Sequence, residues 1–284
     1  MKRFWHLCKT TPAPLRLGLF FLSLGIIWLP LAAPLYLIFR ADENLTTILT
    51  MGLLFLEFLV YLPFWVKQVH GETQPFRRYG LVWQRANGVD LVTGLAYGLG
   101  FTWALLIFED VLGFIEIIPP TTALIRIVIE GALSGLGVAL AEELVFRGWV
   151  YDELERDYGS KIVLWGSAIA FAILHFLKPL PEMIRTLPVF PGLVLLGLTL
   201  VWAKRSRFGR LGKPIGLHGG LVWGYYIFNV GGLIQSKEGV SPWLTGVDGN
   251  PLGGLWGILF LAVLAWIMAR AAQKSQKPSP LEGS

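Results

Sequence analysis

What most constrains the fold of this sequence is its succession of apolar stretches, each near the length of a bilayer's hydrocarbon core. That core is about 30 Å thick and takes about 20 apolar residues of helix to cross. Eight segments approach this length: Leu15–Phe39, Leu45–Val66, Val89–Phe108, Ala123–Phe146, Lys161–Leu177, Pro188–Ala203, Ile215–Gln235 and Leu252–Ala269. The fifth and sixth are short, and Pro30 and Pro34 predict kinks in the first. A further apolar piece, Val111–Ile118, is expected in the membrane interface. The fold class that follows is all-α, a multi-pass transmembrane helical bundle of about eight spans.

Composition agrees. Charged residues make up 15% of the chain, against about 25% in a soluble protein. The mean hydropathy is +0.60, and 12 Trp residues suit membrane–water interfaces. The apolar segments use up the length, so no second soluble domain is expected. The expected organisation is a basic cytoplasmic tail at 1–14, one transmembrane domain at 15–270 and a polar, disordered tail at 271–284. The first apolar stretch exceeds the roughly 7–15 residue core of a cleavable signal, so none is expected. Cys8 is the single cysteine, which excludes an intramolecular disulfide and a Cys-x2-Cys metal pattern and leaves a free thiol.

A net charge of +5 would raise nucleic-acid binding in a soluble protein. Here the basic residues fall in short connections, and most of the 24 Lys and Arg lie on one side of an eight-span arrangement. Cytoplasmic loops collect positive charge. The expectation is an integral membrane protein with both termini cytoplasmic, the lipid bilayer as partner and no nucleic acid. The basic loop Lys204–Lys213 is read as a topology signal in preference to a lipid-binding site.

A charge at mid-span costs roughly 2.5–3.5 kcal/mol on insertion scales, so polar residues within apolar segments are the informative ones. They cluster at Glu142, Glu143 and Arg147, then at His175 and His218. On a helix Glu143 and Arg147 share a face and can pair. Glu142 is rotated about 100° away, so the two carboxylates have different neighbours and can hold protons differently. The bland reading is a solvated helix end, with Tyr151–Asp157 as loop. For His175 the bland reading is a helix–helix hydrogen bond, and for His218 an interfacial residue. Gly216, Gly219 and Gly220 flank His218 and allow another backbone to come close. An acid with two imidazoles is the set that activates water: the carboxylate takes a proton, one His relays it, the other donates to an oxyanion.

The ordered pattern Glu142-Glu143-x3-Arg147, Phe171-x3-His175 and His218 resembles the CAAX-protease and bacteriocin-processing family of intramembrane glutamic endopeptidases, over roughly residues 123–235. The resemblance implies that Glu142 activates water together with His175. It implies that Glu143 and Arg147 form a supporting pair, that His218 helps form an oxyanion hole, and that the substrate is a membrane-embedded or membrane-tethered peptide met at the cytoplasmic face. Many members carry Asn or Asp four residues after the last histidine, where this chain has Val222. That departure keeps a second reading open, a non-catalytic relative acting as a membrane scaffold or regulator. A proton-coupled transporter is a third, disfavoured because the charges gather at one end of the spans. No cofactor is expected. Zinc is the minority alternative, held by Glu142, His175 and His218, although a His-Glu-x2-His helix is absent.

Overall fold

A computed structural model describes residues 2–120 and 124–275, and 80% of them are helical. The elements in order are α1 (Lys2–Thr10), α2 (Ala13–Ile38), α3 (Glu43–His70), α4 (Pro75–Arg78), α5 (Arg85–Val111), β1 (Ile115–Ile117) and α6 (Leu124–Glu143). There follow a π-helical turn (Leu144–Val150), α7 (Tyr151–Asp157), α8 (Ser160–His175), α9 (Leu180–Arg185), α10 (Val189–Arg205), α11 (Gly212–Val230), β2 (Ile234–Ser236), α12 (Pro242–Thr245) and α13 (Leu255–Ser275). The all-α class is therefore as the hydropathy pattern requires. Among the described residues, five helices are long and apolar enough to cross a membrane: α2, α3, α5, the continuous stretch Leu124–Asp157, and α13. The shorter apolar α8, with α10 and α11, occupies the remaining predicted stretches.

Local sequence explains the ends. Asp42 caps α3 by accepting from the Leu45 N–H at 2.9 Å, and Gly71 closes it in the left-handed region at φ 71°. Pro30 and Pro34 both lie inside α2.

Three details differ from expectation. Val111–Ile118 includes a short strand: β1 pairs antiparallel with β2, Ile115 opposite Ser236 and Ile117 opposite Ile234. The seventh stretch accordingly leaves the helix at Val230. The last helix runs to Ser275, past the expected end at Ala269, so the start of the predicted disordered tail is helical. The rest of that tail and Ala123, the first residue of the fourth predicted span, lie outside the described residues. At the N-terminus, Lys2–Thr10 is helical and the Cys8 thiol is free and buried.

The chain divides into two compact units, Met1–Arg78 with Asp152–Tyr158, and Tyr79–Tyr151 with Gly159–Ser284. In the first unit α2 packs on α3 through Phe20, Tyr61 and Trp65, with the Phe20 and Trp65 rings edge to face at 5.3 Å. A polar network around buried Arg16 and Glu153 also ties this unit. Glu153 accepts from Arg16 Nε at 2.8 Å and from His70 Nε2 at 2.7 Å, and Asp157 accepts from the Ala13 N–H at 2.6 Å and Arg16 Nη2 at 3.1 Å.

In the second unit α11 packs along both α5 and α6, and α10 packs against α8 and α13. Glycine makes the α5–α11 seam possible. A Cβ on Gly216 would lie 2.0 Å from the Leu91 carbonyl oxygen, and one on Gly94 would lie 2.3 Å from that of Lys213. Nothing larger fits, and the two backbones touch directly. Lys204 and Lys213, read from sequence as loop charges, are buried.

Candidate active site

The segment read as a charged helix end is neither an end nor solvated. Helix α6 passes into the π-helical turn and on through α7 to Asp157. Turns of this kind are rare and recur at functional sites. The side chains of Glu143 and Arg147 are both 0% exposed. Their predicted pairing is present, with Arg147 Nη1 donating to Glu143 Oε1 at 3.0 Å. Arg147 Nη2 donates to the Gly197 carbonyl of α10 at 3.2 Å, and the guanidinium lies 4.3 Å from the Phe171 ring centroid. Removing either partner of such a buried pair costs about 3–5 kcal/mol, because the other charge stays buried.

Helix α11 carries His218 to the same place, where it is 5% exposed. Its Nδ1–H donates to Glu143 Oε1 at 2.9 Å, since a buried carboxylate paired with arginine accepts. That fixes the ring and turns Nε2 toward Glu142, whose Oε2 lies 3.8 Å away.

His175 is the last residue of α8. Its Nδ1–H donates to the Phe171 carbonyl one turn back at 2.8 Å. The neutral ring then presents a lone pair at Nε2, 3.2 Å from Glu142 Oε2. The two atoms touch without the alignment of a hydrogen bond, and Glu142 Oε2 has no hydrogen-bond partner among the described residues. A small reorientation of either side chain would align the two atoms around a shared proton. The Glu142 and His175 side chains are 26% and 30% exposed, against 0% for Glu143.

All five predicted residues are thus brought together, in two layers. Glu143 and Arg147 are sealed behind; Glu142, His175 and His218 line a cavity of about 340 Å³. The cavity wall is mostly apolar, with Phe101, Leu105, Leu193 and Leu261 among its residues, and Val222 lies in it. Sequence reading gave no role to Phe171, yet its ring packs against His175 at 4.2 Å and His218 at 6.1 Å as well as under Arg147. Its spacing of four before His175 was the available signal. Gly197 and Asn250, the latter also lining the cavity, were not anticipated. Among the described residues, no group of three or more His, Cys, Asp or Glu side chains is arranged to hold a metal ion.

These observations define a class: a multi-pass helical membrane protein with an acid and two imidazoles gathered at an internal cavity. Residues 124–224 match the family described as Type II CAAX prenyl endopeptidase Rce1-like, in agreement with the resemblance to the CAAX-protease and bacteriocin-processing family read from the motifs. The matched segment contains all five residues above. At the level of the family, the match supports an intramembrane protease. No curated protein and no solved structure matches the chain.

Proposed function

We propose that this protein is an intramembrane endopeptidase that hydrolyses a membrane-embedded or membrane-tethered peptide with water activated by Glu142. The observation that carries the reading is the approach of His175 Nε2 and His218 Nε2 to one carboxylate oxygen, at 3.2 and 3.8 Å, on the wall of a cavity. That oxygen has its acceptor capacity unused, as a general base needs. Glu142 takes a proton from water, and the hydroxide adds to the scissile carbonyl carbon. His175 shares the proton and passes it to the leaving amine, so no covalent intermediate forms. His218 donates to the oxyanion from Nε2, which requires the doubly protonated ring. Glu143 supports that form by accepting from Nδ1, and Arg147 holds Glu143 in place.

The placement of Lys and Arg supports eight crossings with both termini and the active face toward the cytoplasm. The family's printed name points to CAAX prenyl substrates, and the apolar wall of the cavity suits a hydrocarbon or apolar side chain.

The direct test uses purified protein in detergent with two quenched fluorescent CAAX-type peptides, one farnesylated and one not. The parent is expected to cleave at least one, and Glu142→Gln neither; equal cleavage by both proteins removes Glu142 from the chemistry. Activity lost to chelator and restored by zinc would move the assignment to a metal held by Glu142, His175 and His218. A second reading, a non-catalytic scaffold, is favoured by one observation: apolar Val222 stands in the cavity where many relatives have an amide or acid. It wins if Glu142→Gln and His175→Ala both complement a deletion fully.

A further inference from the structure

Besides the acid and the two imidazoles, three polar side chains line the cavity: Thr102, Tyr225 and Asn250. Two have their hydrogens engaged. The Thr102 hydroxyl donates to the carbonyls of Gly98 at 3.0 Å and Leu221 at 3.4 Å. The Tyr225 hydroxyl donates to the Gly249 carbonyl at 2.8 Å. Asn250 differs. Its backbone N–H donates to Val247 O at 3.0 Å, and its carbonyl accepts from the Gly253 N–H at 3.0 Å. Its side-chain Oδ1 accepts from the Leu252 N–H at 3.0 Å. A backbone N–H only donates, so the atom facing Leu252 is the amide oxygen and the orientation of the amide is fixed. The Nδ2 group makes no hydrogen bond among the described residues.

The loop bearing Asn250 is held firmly. Tyr225 of α11 grips Gly249, and the loop packs so closely on α10 that a Cβ on Gly192 would lie 2.2 Å from Leu252 O. Asn250 and His175 also both line a second cavity of about 310 Å³, whose wall includes Lys178, Glu182 and Asp248. His175 and Asn250 thus both line each of the two cavities.

We infer that Asn250 is a catalytic donor of this site: its Nδ2–H group donates to the oxyanion of the tetrahedral intermediate alongside His218, supplying from the loop before α13 what Val222 of α11 lacks. The inference rests on the endopeptidase reading above and extends it to a residue outside the matched segment 124–224. No bond is made or broken by Asn250; it stabilises charge that appears on the carbonyl oxygen and disappears when the intermediate collapses.

Asn250 also caps the short turn Pro251–Gly253, so the test must separate donating from capping. Asn250→Asp and Asn250→Ser both keep an oxygen for the Leu252 N–H; the first loses the donor, and the second is too short to extend it into the cavity. Both are assayed with the quenched peptides, beside Glu142→Gln, and for binding of a phosphinic peptide that mimics the tetrahedral oxyanion. The expected result is a fall in kcat of about 10²–10³ in both, little change in KM, a similar loss of phosphinate affinity, and an unchanged melting temperature. Wild-type kcat in either variant overturns the inference. So does a loss confined to the folded fraction, with kcat per folded molecule and phosphinate affinity intact. If Glu142→Gln cleaves like the parent, or the parent neither cleaves nor binds the phosphinate, the endopeptidase reading itself fails and Asn250 falls with it.

Discussion

The two units hold nearly the same polar residues and use them differently. The first buries Arg16 and Glu153, with His70 half-buried and Asp157 at the surface; the second buries Glu143, Arg147 and His218, with Glu142 and His175 half-buried. In the first, both Glu153 oxygens accept from a side chain, and Arg16 is spread over Glu153, Asp157 and the Thr11 carbonyl, the last at 2.6 Å. Such a network pins helices together and has nothing left for a substrate. In the second, the inner layer is paired through Glu143 Oε1 but leaves Glu143 Oε2 and Arg147 Nε without a hydrogen bond among the described residues, and Glu142, whose Oε2 is likewise unpaired, lines the cavity. Residue type does not separate a structural cluster from a reactive one; a carboxylate that lines a cavity with an unpaired oxygen does.

The contrast can be broken most sharply at Glu142. Glu142→Gln is expected to lower kcat by about 10²–10⁴, the usual worth of a general base, with the melting temperature little changed; retained turnover on the quenched peptides would erase the distinction between the units. Glu153→Gln should do the opposite. It strips a buried partner from Arg16, costs about 3 kcal/mol or more of stability, and leaves kcat per folded molecule at the parent value, checked by thermal unfolding in detergent alongside the peptide assay. Gly216→Ala probes how the second cluster is placed. Its Cβ would meet the Leu91 carbonyl oxygen at 2.0 Å, so overpacking should cost about 1–3 kcal/mol and lower kcat by shifting His218; full activity would mean that the seam is dispensable. At the bottom of the scale, Arg126→Ala removes an exposed pair with Glu130 on α6, and both melting temperature and kcat should stay at the parent values.

Much of the reactive cluster could be read locally. Glu143 and Arg147 are four apart, and their pairing follows from helix geometry alone. The contact of His218 with Glu143 has no local rule behind it. It depends on α11 settling against α5 and α6, which the glycines around His218 suggested only in outline. Asn250 was illegible for a different reason: its loop turns through positive φ at Gly246, Asp248 and Gly249, and irregular backbone of that kind has no periodicity to read. The Glu153 network was missed because an acidic stretch after an apolar one looks like solvated loop. The helix continues through the π-helical turn into α7, and Asp152 and Glu153 are buried. The strand pair β1–β2 is three residues on each side, too short for an alternating pattern to show.

The α5–α11 seam has one more implication. Where main chain rests on main chain there is no side-chain rotamer to adjust and no methylene to trade, so the spacing of these two helices behaves as a fixed dimension of the scaffold. Variation among related chains should therefore concentrate on the cavity wall and the loops that roof it, where new substrates can be accommodated, while the depth of the imidazole below the surface is inherited unaltered.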